Sequence, residues 1–310
     1  MHRGSLRTLC FLPVLALTCG AAGDVTTAPQ VEALVRDFAV VKTAELDVDG
    51  DGQPESAVIF RDADNGGGLL ALRWVKGNWR QVACVYLEGH LPVDASVTAR
   101  ELAFTFEGND KPLVLDLGKD VGLVDREGDP FAGITVTASS SLKGEFAPRA
   151  AFDGDVTTSW AEGKDGTGIG ESISFEFKKP VHLGLVGVFT GRGTSAKDFK
   201  DNNRIRKAIL ETFTPSNVGD SSANLDFADL GIASGGHVAE VQLANKPELK
   251  FFRLTEEDVV KFTLRVDSVY LGDKKDDTHV AEVMFCPHIP EAQVKALAKK
   301  KRAAAPVKAP

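Results

Sequence analysis

Cysteine is scarce in this chain, with four in 310 residues, and the two that lie beyond the N-terminal apolar segment, Cys84 and Cys286, are far apart. That spacing excludes a thiolate metal cluster, whose ligands come in close pairs. Long apolar runs are missing as well: no stretch reaches the ~20 residues that a membrane-spanning helix needs. Positive charge is in deficit, with a formal net charge of −8, and this excludes nucleic acid as the main partner, because phosphate binding is driven by clustered Lys and Arg. Catalytic signatures are also lacking. There is no Gly-x-Ser-x-Gly elbow and no His-Glu-x-x-His, and the six histidines are scattered. His279, between Thr278 and Val280 in an alternating pattern, reads as a surface strand residue. Paired catalytic acids leave no sequence signature, so a carboxylate-based hydrolase stays possible.

The remaining composition, 26% charged and 43% apolar, is that of an ordinary globular protein long enough for two domains. Residues 1–23 place His2, Arg3 and Arg7 before a short apolar run from Leu9 to Leu17 and end in small residues, which predicts a secretory signal peptide. The mature protein is then exported, either secreted or periplasmic, with cleavage near Ala22 or Gly23; lipid anchoring through Cys19 is the alternative. Export permits a disulfide between Cys84 and Cys286, while the other reading makes each a small buried apolar residue.

Val31, Leu34, Val35 and Phe38 form a helical stripe. After it, β-branched and aromatic segments recur at 40–46, 55–60, 69–75, 79–87, 102–106 and 113–117, separated by Asp, Gly and Asn clusters. A second series follows at 134–138, 172–177, 183–189, 206–213, 238–243, 251–254, 261–270 and 280–285. The fold class expected is all-β: a smaller antiparallel domain over 24–130 and a jelly-roll sandwich over 131–287. Residues 288–310 form a basic tail rich in Ala, Lys and Pro, with one short helix over 291–302.

Two loops are dense in oxygen ligands of the kind hard cations prefer. In the first domain Asp47, Asp49 and Asp51 alternate with glycines and Glu55 closes the loop, a calcium-type arrangement. In the second, Asp153, Asp155 and Thr158 sit in one short loop, and Glu282 lies on a distant strand where a carboxylate needs a partner. The glycine-rich Gly166–Gly170 run is not a nucleotide loop, because 171–177 alternates with period two and cannot supply the helix N-terminus a pyrophosphate requires.

The Asp153-Gly-Asp155…Thr158-x-Trp160 loop together with Glu282 resembles the discoidin-like, galactose-binding-like sandwich family. Trp160-Ala-Glu162-Gly163, Gly166-Thr-Gly168-Ile-Gly170-Glu171, Asn202-Asn203-Arg204 and the hairpin Val269-Tyr270-x-Gly272-x-Lys274-x-x-Asp277-Thr278 follow in the order of one branch. That branch is the module named for NAD glycohydrolase translocation, and the resemblance covers about 134–285. It implies a discoidin-like fold, a structural calcium ion held by the Asp-Gly-Asp loop and the last-strand Glu, and glycan binding without catalysis. One difference stands out: where the family carries an aromatic after the mid-domain strand, this chain has Phe189-Thr-Gly-Arg192.

Jelly rolls present ligands on loops at one end, where aromatic faces stack on sugars and amides, carboxylates and guanidinium groups take the hydroxyls. The glycan-binding residues expected on that basis are Trp160, Glu162, Phe199, Asn202, Asn203, Arg204, Asp276 and Asp277. The expected partner is a glycan or cell-envelope polysaccharide. An envelope scaffold or protein-interaction protein is the first alternative, and a glycoside-acting enzyme with its acids in the N-terminal domain the second.

Overall fold

The computed structural model describes residue 35 and residues 38–63, 66–75, 78–98, 101–117, 121–123, 133–215 and 238–304. The expected signal peptide, Cys19, most of the 28–38 stripe, the junction at 124–132 and the last six tail residues lie outside them. Two long sets of strands share a single twelve-stranded sheet, and a separate three-stranded sheet covers one end of it.

In the N-terminal unit β1 (Ala39–Leu46), β2 (Glu55–Arg61), β3 (Gly67–Val75) and β4 (Asn78–Leu87) form an antiparallel meander. The small sheet is β5 (Pro92–Thr98), β6 (Glu101–Phe106) and β7 (Asn109–Asp116). β5 had no counterpart in the sequence pattern: it is short, polar and opened by a proline, a residue that only the start or edge of a strand tolerates. β8 (Gly122–Leu123) adds two residues beside β4.

β2, β3 and β4 are buried on both faces, and period two sorts their side chains. Ala57, Ile59, Leu69, Ala71, Ala83 and Val85 face Leu102, Phe104, Leu113 and Leu115 of the small sheet. Val58, Phe60, Leu70, Leu72, Cys84 and Tyr86 face the other way, against Leu185, Phe189, Leu249, Phe251, Met284 and Cys286 of the C-terminal unit.

That second unit contains β9 (Thr135–Ala138), β10 (Trp160–Ala161), β11 (Ser172–Thr190), the helix α1 (Ala196–Asp201), β12 (Asn203–Phe213), β13 (Val238–Gln242), β14 (Leu249–Tyr270) and β15 (Thr278–Ile289). The segments expected at 172–177 and 183–189 are one strand, β11, whose register against β14 breaks between Glu176 and Val181, around Pro180. Likewise 251–254 and 261–270 merge into β14, which passes through positive φ at Thr255 (+51°) and Asp258 (+54°). The polar interruptions that read as turns are bulges within continuous strands. The core of this unit centres on Phe285, whose ring lies 5.2–5.4 Å from those of Phe175, Phe177 and Phe262.

β15 belongs to both units. It pairs antiparallel with β11 and then, beyond Pro287, parallel with β4 through His288 opposite Tyr86 and Ile289 opposite Leu87. Cys84 and Cys286 form a disulfide across this join, with Cα atoms 5.1 Å apart, so the bridged alternative holds. The helix α2 (Glu291–Ala304) follows and buries Val294.

Candidate functional site

The loop after β9 and the turn 148–158 bring oxygen atoms together at one point. Thr158 Oγ1 lies 2.8 Å from Asp153 Oδ2, 2.8 Å from the Asp155 carbonyl and 3.1 Å from the Ala150 carbonyl. One hydroxyl proton cannot serve three acceptors, so the spot is short of positive charge. Asp155 takes part through its main chain, because its carboxylate accepts from Thr157 N and Oγ1 instead. Glu282, on β15, is fully buried and its Oε2 has no hydrogen-bond partner. Burial, and secondarily the charge of Asp153, push its carboxyl up to about 8, while the amides of Gly154 and Val283 and the charge of Arg80 act the other way. Arg80 reaches in from β4: a Cβ on Gly154 would stand 2.8 Å from its Nε.

In the N-terminal unit Asp47, Asp49 and Glu55 offer carboxylate oxygens within 4.8 Å of one another. The loop is shaped by Asp side chains accepting from main-chain amides, Asp51 N to Asp49, Gln53 N to Asp51 and Gly52 N to Asp47, with Gly50 and Gly52 at positive φ. The convergence expected of four carboxylates is altered by Arg73 of β3. Its guanidinium donates to Asp49 at 3.2 Å, to Asp51 at 2.8 Å and to the fully buried Glu55, so a cationic side chain already stands among them.

Most of the residues expected to meet a sugar are interior. Trp160 is fully buried, and its Nε1 donates to the Ser140 carbonyl. Glu162 is buried too, and accepts from the amides of Thr278 and Lys164, with Gly168 packed so closely that a Cβ there would collide with it. Phe199, Asn202, Asn203 and Arg204 are also buried. Asn203 ties the hairpin, donating to the Asp276 carbonyl and accepting from Gly272 N. Arg204 donates to the carbonyls of Lys200, Asn202 and Leu271 and to Asn245 Oδ1, over the ring of Phe199. These six are buried: Trp160, Asn202, Asn203 and Arg204 donate to main-chain carbonyls, Glu162 accepts from main-chain amides, and Phe199 packs under the Arg204 guanidinium. Of the expected set, Asp276 is exposed and Asp277 half-buried. His279, expected at the surface, is buried beside Ser159 Oγ, 3.0 Å from its Nδ1, and burial followed by the charges of Arg192 and Lys275 lowers it to about 3.

The groups standing over His279 went unnoticed in the sequence. Phe146, half-buried, meets the His279 ring edge-on at 5.3 Å, and the Arg192 guanidinium lies over Phe146 at 5.2 Å from the ring centre. Arg192 also donates to Thr194 Oγ1 and to the exposed Glu145. This stacked pair sits where the family difference at Gly191-Arg192 lies, which was the one available signal. Lys275 acts electrostatically on the same His279 ring.

Residues 129–286, half of the chain, match the NAD glycohydrolase translocation F5/8 type C domain, and the chain belongs to that family. Among solved structures, a family 32 carbohydrate-binding module of C. perfringens NanJ in complex with galactose is 18% identical over 50% of this chain and 95% of that one, with a TM-score of 0.36. A family 32 module from a family 31 glycoside hydrolase of Clostridium perfringens is 15% identical, covering 51% and 93%, with a TM-score of 0.37. An F5/8 type C domain from Bacteroides fragilis is 12% identical over 51% and 94%, with a TM-score of 0.35. No curated protein matches the chain.

Proposed function

We propose that this is an exported, non-catalytic glycan-binding protein, with its sugar site on the loop end around Phe146 and Arg192 and with a calcium ion stiffening the loop beneath. The observation that carries the reading is the stacked Phe146–Arg192 pair beside Glu145, in a chain belonging to the F5/8 type C family. An aromatic face for sugar C–H groups, a guanidinium and a carboxylate for hydroxyls make up a sugar-binding set. Asp276, exposed, and Asp277, half-buried, stay in the proposal as acceptors.

The cation loop fits calcium on its own donors: carbonyls of Ala150 and Asp155, the hydroxyl of Thr158, and carboxylates of Asp153 and Glu282 are all oxygens, and one Glu282 oxygen lacks a partner. The ion's role there is structural, tying β15 to the 148–158 turn. The Asp47, Asp49, Asp51 and Glu55 loop is the weaker calcium site in this proposal, because Arg73 competes for its carboxylates.

The test is titration of the full chain against galactose-type, amino-sugar and acidic oligosaccharides, on an array and then by calorimetry. Phe146→Ala and Arg192→Ala are expected to weaken binding roughly tenfold or more, the loss of 1.4 kcal/mol or above, with circular dichroism unchanged. Equal affinity in the folded variants, or no glycan bound by the parent, overturns the proposal.

A further inference from the structure

A cleft of about 560 Å³ opens where the N-terminal unit meets the start of α2, and it shares no residue with the sites described above. Four segments wall it: Arg61 at the end of β2, His90 and Leu91 between β4 and β5, Phe106 and Glu107 at the β6–β7 turn, and Glu291 opening α2. Its volume lies within the roughly 300–1,000 Å³ of small-molecule sites.

The walls are tied to one another. Arg61 Nε donates to the Pro92 carbonyl at 2.9 Å and Nη2 to the Leu91 carbonyl at 3.4 Å, and Nη1 is engaged by neither. His90 Nδ1 donates to the Glu88 carbonyl at 2.8 Å. A carbonyl only accepts, so the proton sits on Nδ1 and Nε2 of the neutral ring is left as an acceptor. The same imidazole meets the ring of Phe106 edge-on, with centres 5.6 Å apart. Glu291 is held by its main-chain amide, which donates to Glu88 Oε2 at 3.3 Å, and by Gly89 at φ +67°, where a Cβ would stand 2.9 Å from Glu291 Cγ. The ion pair with Lys295, and after it the charge of His90, keep the Glu291 carboxyl below the ordinary carboxylate range.

We propose that this cleft is a second saccharide site, selective for neutral and amino sugars over acidic ones. Phe106 and Leu91 offer apolar surface to the C–H face of a sugar ring. Around them stand three acceptors, the carboxylates of Glu107 and Glu291 and His90 Nε2, against one cationic donor, Arg61. A sugar meets both needs, its hydroxyl protons serving the acceptors and its hydroxyl oxygens the guanidinium. An ammonium group adds a charge partner for the carboxylates, whereas a uronate brings a further negative charge beside them. The lining alone carries the inference, which holds whether or not sugar binds at Phe146. A polysaccharide long enough to reach both sites would be held at two points, which multiplies affinity without a new contact.

The experiment is calorimetry on the full Phe146→Ala chain, which removes the first site, with lactose, a glucosamine disaccharide and a galacturonic acid disaccharide as probes. Lactose or the amino sugar is expected to bind stoichiometrically, and the uronic acid about tenfold more weakly or not at all. Adding Phe106→Ala, or Glu107→Lys at an exposed position, should weaken that binding about tenfold or more, with circular dichroism unchanged. Hydrogen exchange in the Phe146→Ala chain should slow at 88–92 and 105–108 when sugar is added. No sugar bound by that chain, undiminished affinity in a folded second variant, equal binding of the uronic acid, or unchanged exchange at those segments overturns the inference. Should a variant fail to fold, the exchange pattern decides. Equal affinity of Phe146→Ala and the parent would sink the first site and leave this one standing, so the two readings fail separately.

Discussion

Glu282 is one of the residues whose chemistry departs far from its free state. Its carboxyl is raised above the unfolded value of 4.5 to about 8, so without a cation the folded chain holds a proton there that the unfolded chain has released. The stability this confers is complete below about pH 4.5 and is lost as pH rises through about 8. A chelator-treated sample should therefore melt at progressively lower temperature between pH 5 and pH 8, and saturating calcium should remove that slope; Glu282→Gln should flatten it in both conditions. Calcium at ~100 times its dissociation constant adds ~2.7 kcal/mol if it binds only the native state, and differential scanning calorimetry reads the shift. Asp49→Ala should diminish that shift less than Glu282→Ala, because Arg73 already neutralises the first loop. Arg204 offers the contrasting case. Deleting its guanidinium leaves the carbonyls of Lys200, Asn202 and Leu271 short of donors, and Arg204→Ala is expected to cost roughly 2–4 kcal/mol in denaturant unfolding. A charged residue following two asparagines reads from sequence as a ligand contact, because nothing in it reveals that the carbonyls of Lys200, Asn202 and the distant Leu271 turn toward it.

Among the elements, the two long strands show what could and could not be read. Apolar alternation placed the long strands of both units but not the short β5, β8 and β10, and the Asp153 loop stood out as an oxygen-rich turn because its donors are adjacent in sequence. The bulges did not. Pro180 and the polar run Thr255–Asp258 carry the same composition as turns, and only pairing across β11 and β14 makes them interruptions within strands. The site end was misread for a related reason: residue type tells what a side chain can bind but not whether its strand points it inward, as Trp160 on β10 shows. Strain at Thr255 makes its own prediction. Thr255→Gly removes a β-branched side chain from φ +51° and should raise stability by about 1 kcal/mol, offset in part by the greater freedom of glycine in the unfolded chain. Equilibrium unfolding in urea measures it.

For the whole molecule, the meander β1–β4 and the F5/8 type C unit are not independent bodies. One apolar layer contains Phe60, Leu70 and Tyr86 from the first and Leu185, Phe189 and Phe251 from the second. Cutting the chain to 129–286 exposes that layer, and the fragment should associate or precipitate where the full chain stays monodisperse in light scattering. Reducing the disulfide, or replacing both cysteines by alanine, removes a cross-link spanning 202 positions and should lower stability by roughly 3–5 kcal/mol, read as a shifted urea midpoint.

The position of β15 also sets a timetable. Strand β4 emerges early in synthesis, yet its end at Tyr86 and Leu87 and the thiol of Cys84 wait for their partners in β15 until residues 286–289 have been made, 202 positions later for the thiol. At 5–20 residues per second that wait is roughly 10–40 s. During it the nascent meander carries a partly open edge, an apolar face and a reactive sulfur, and both units wait on the same last strand to close.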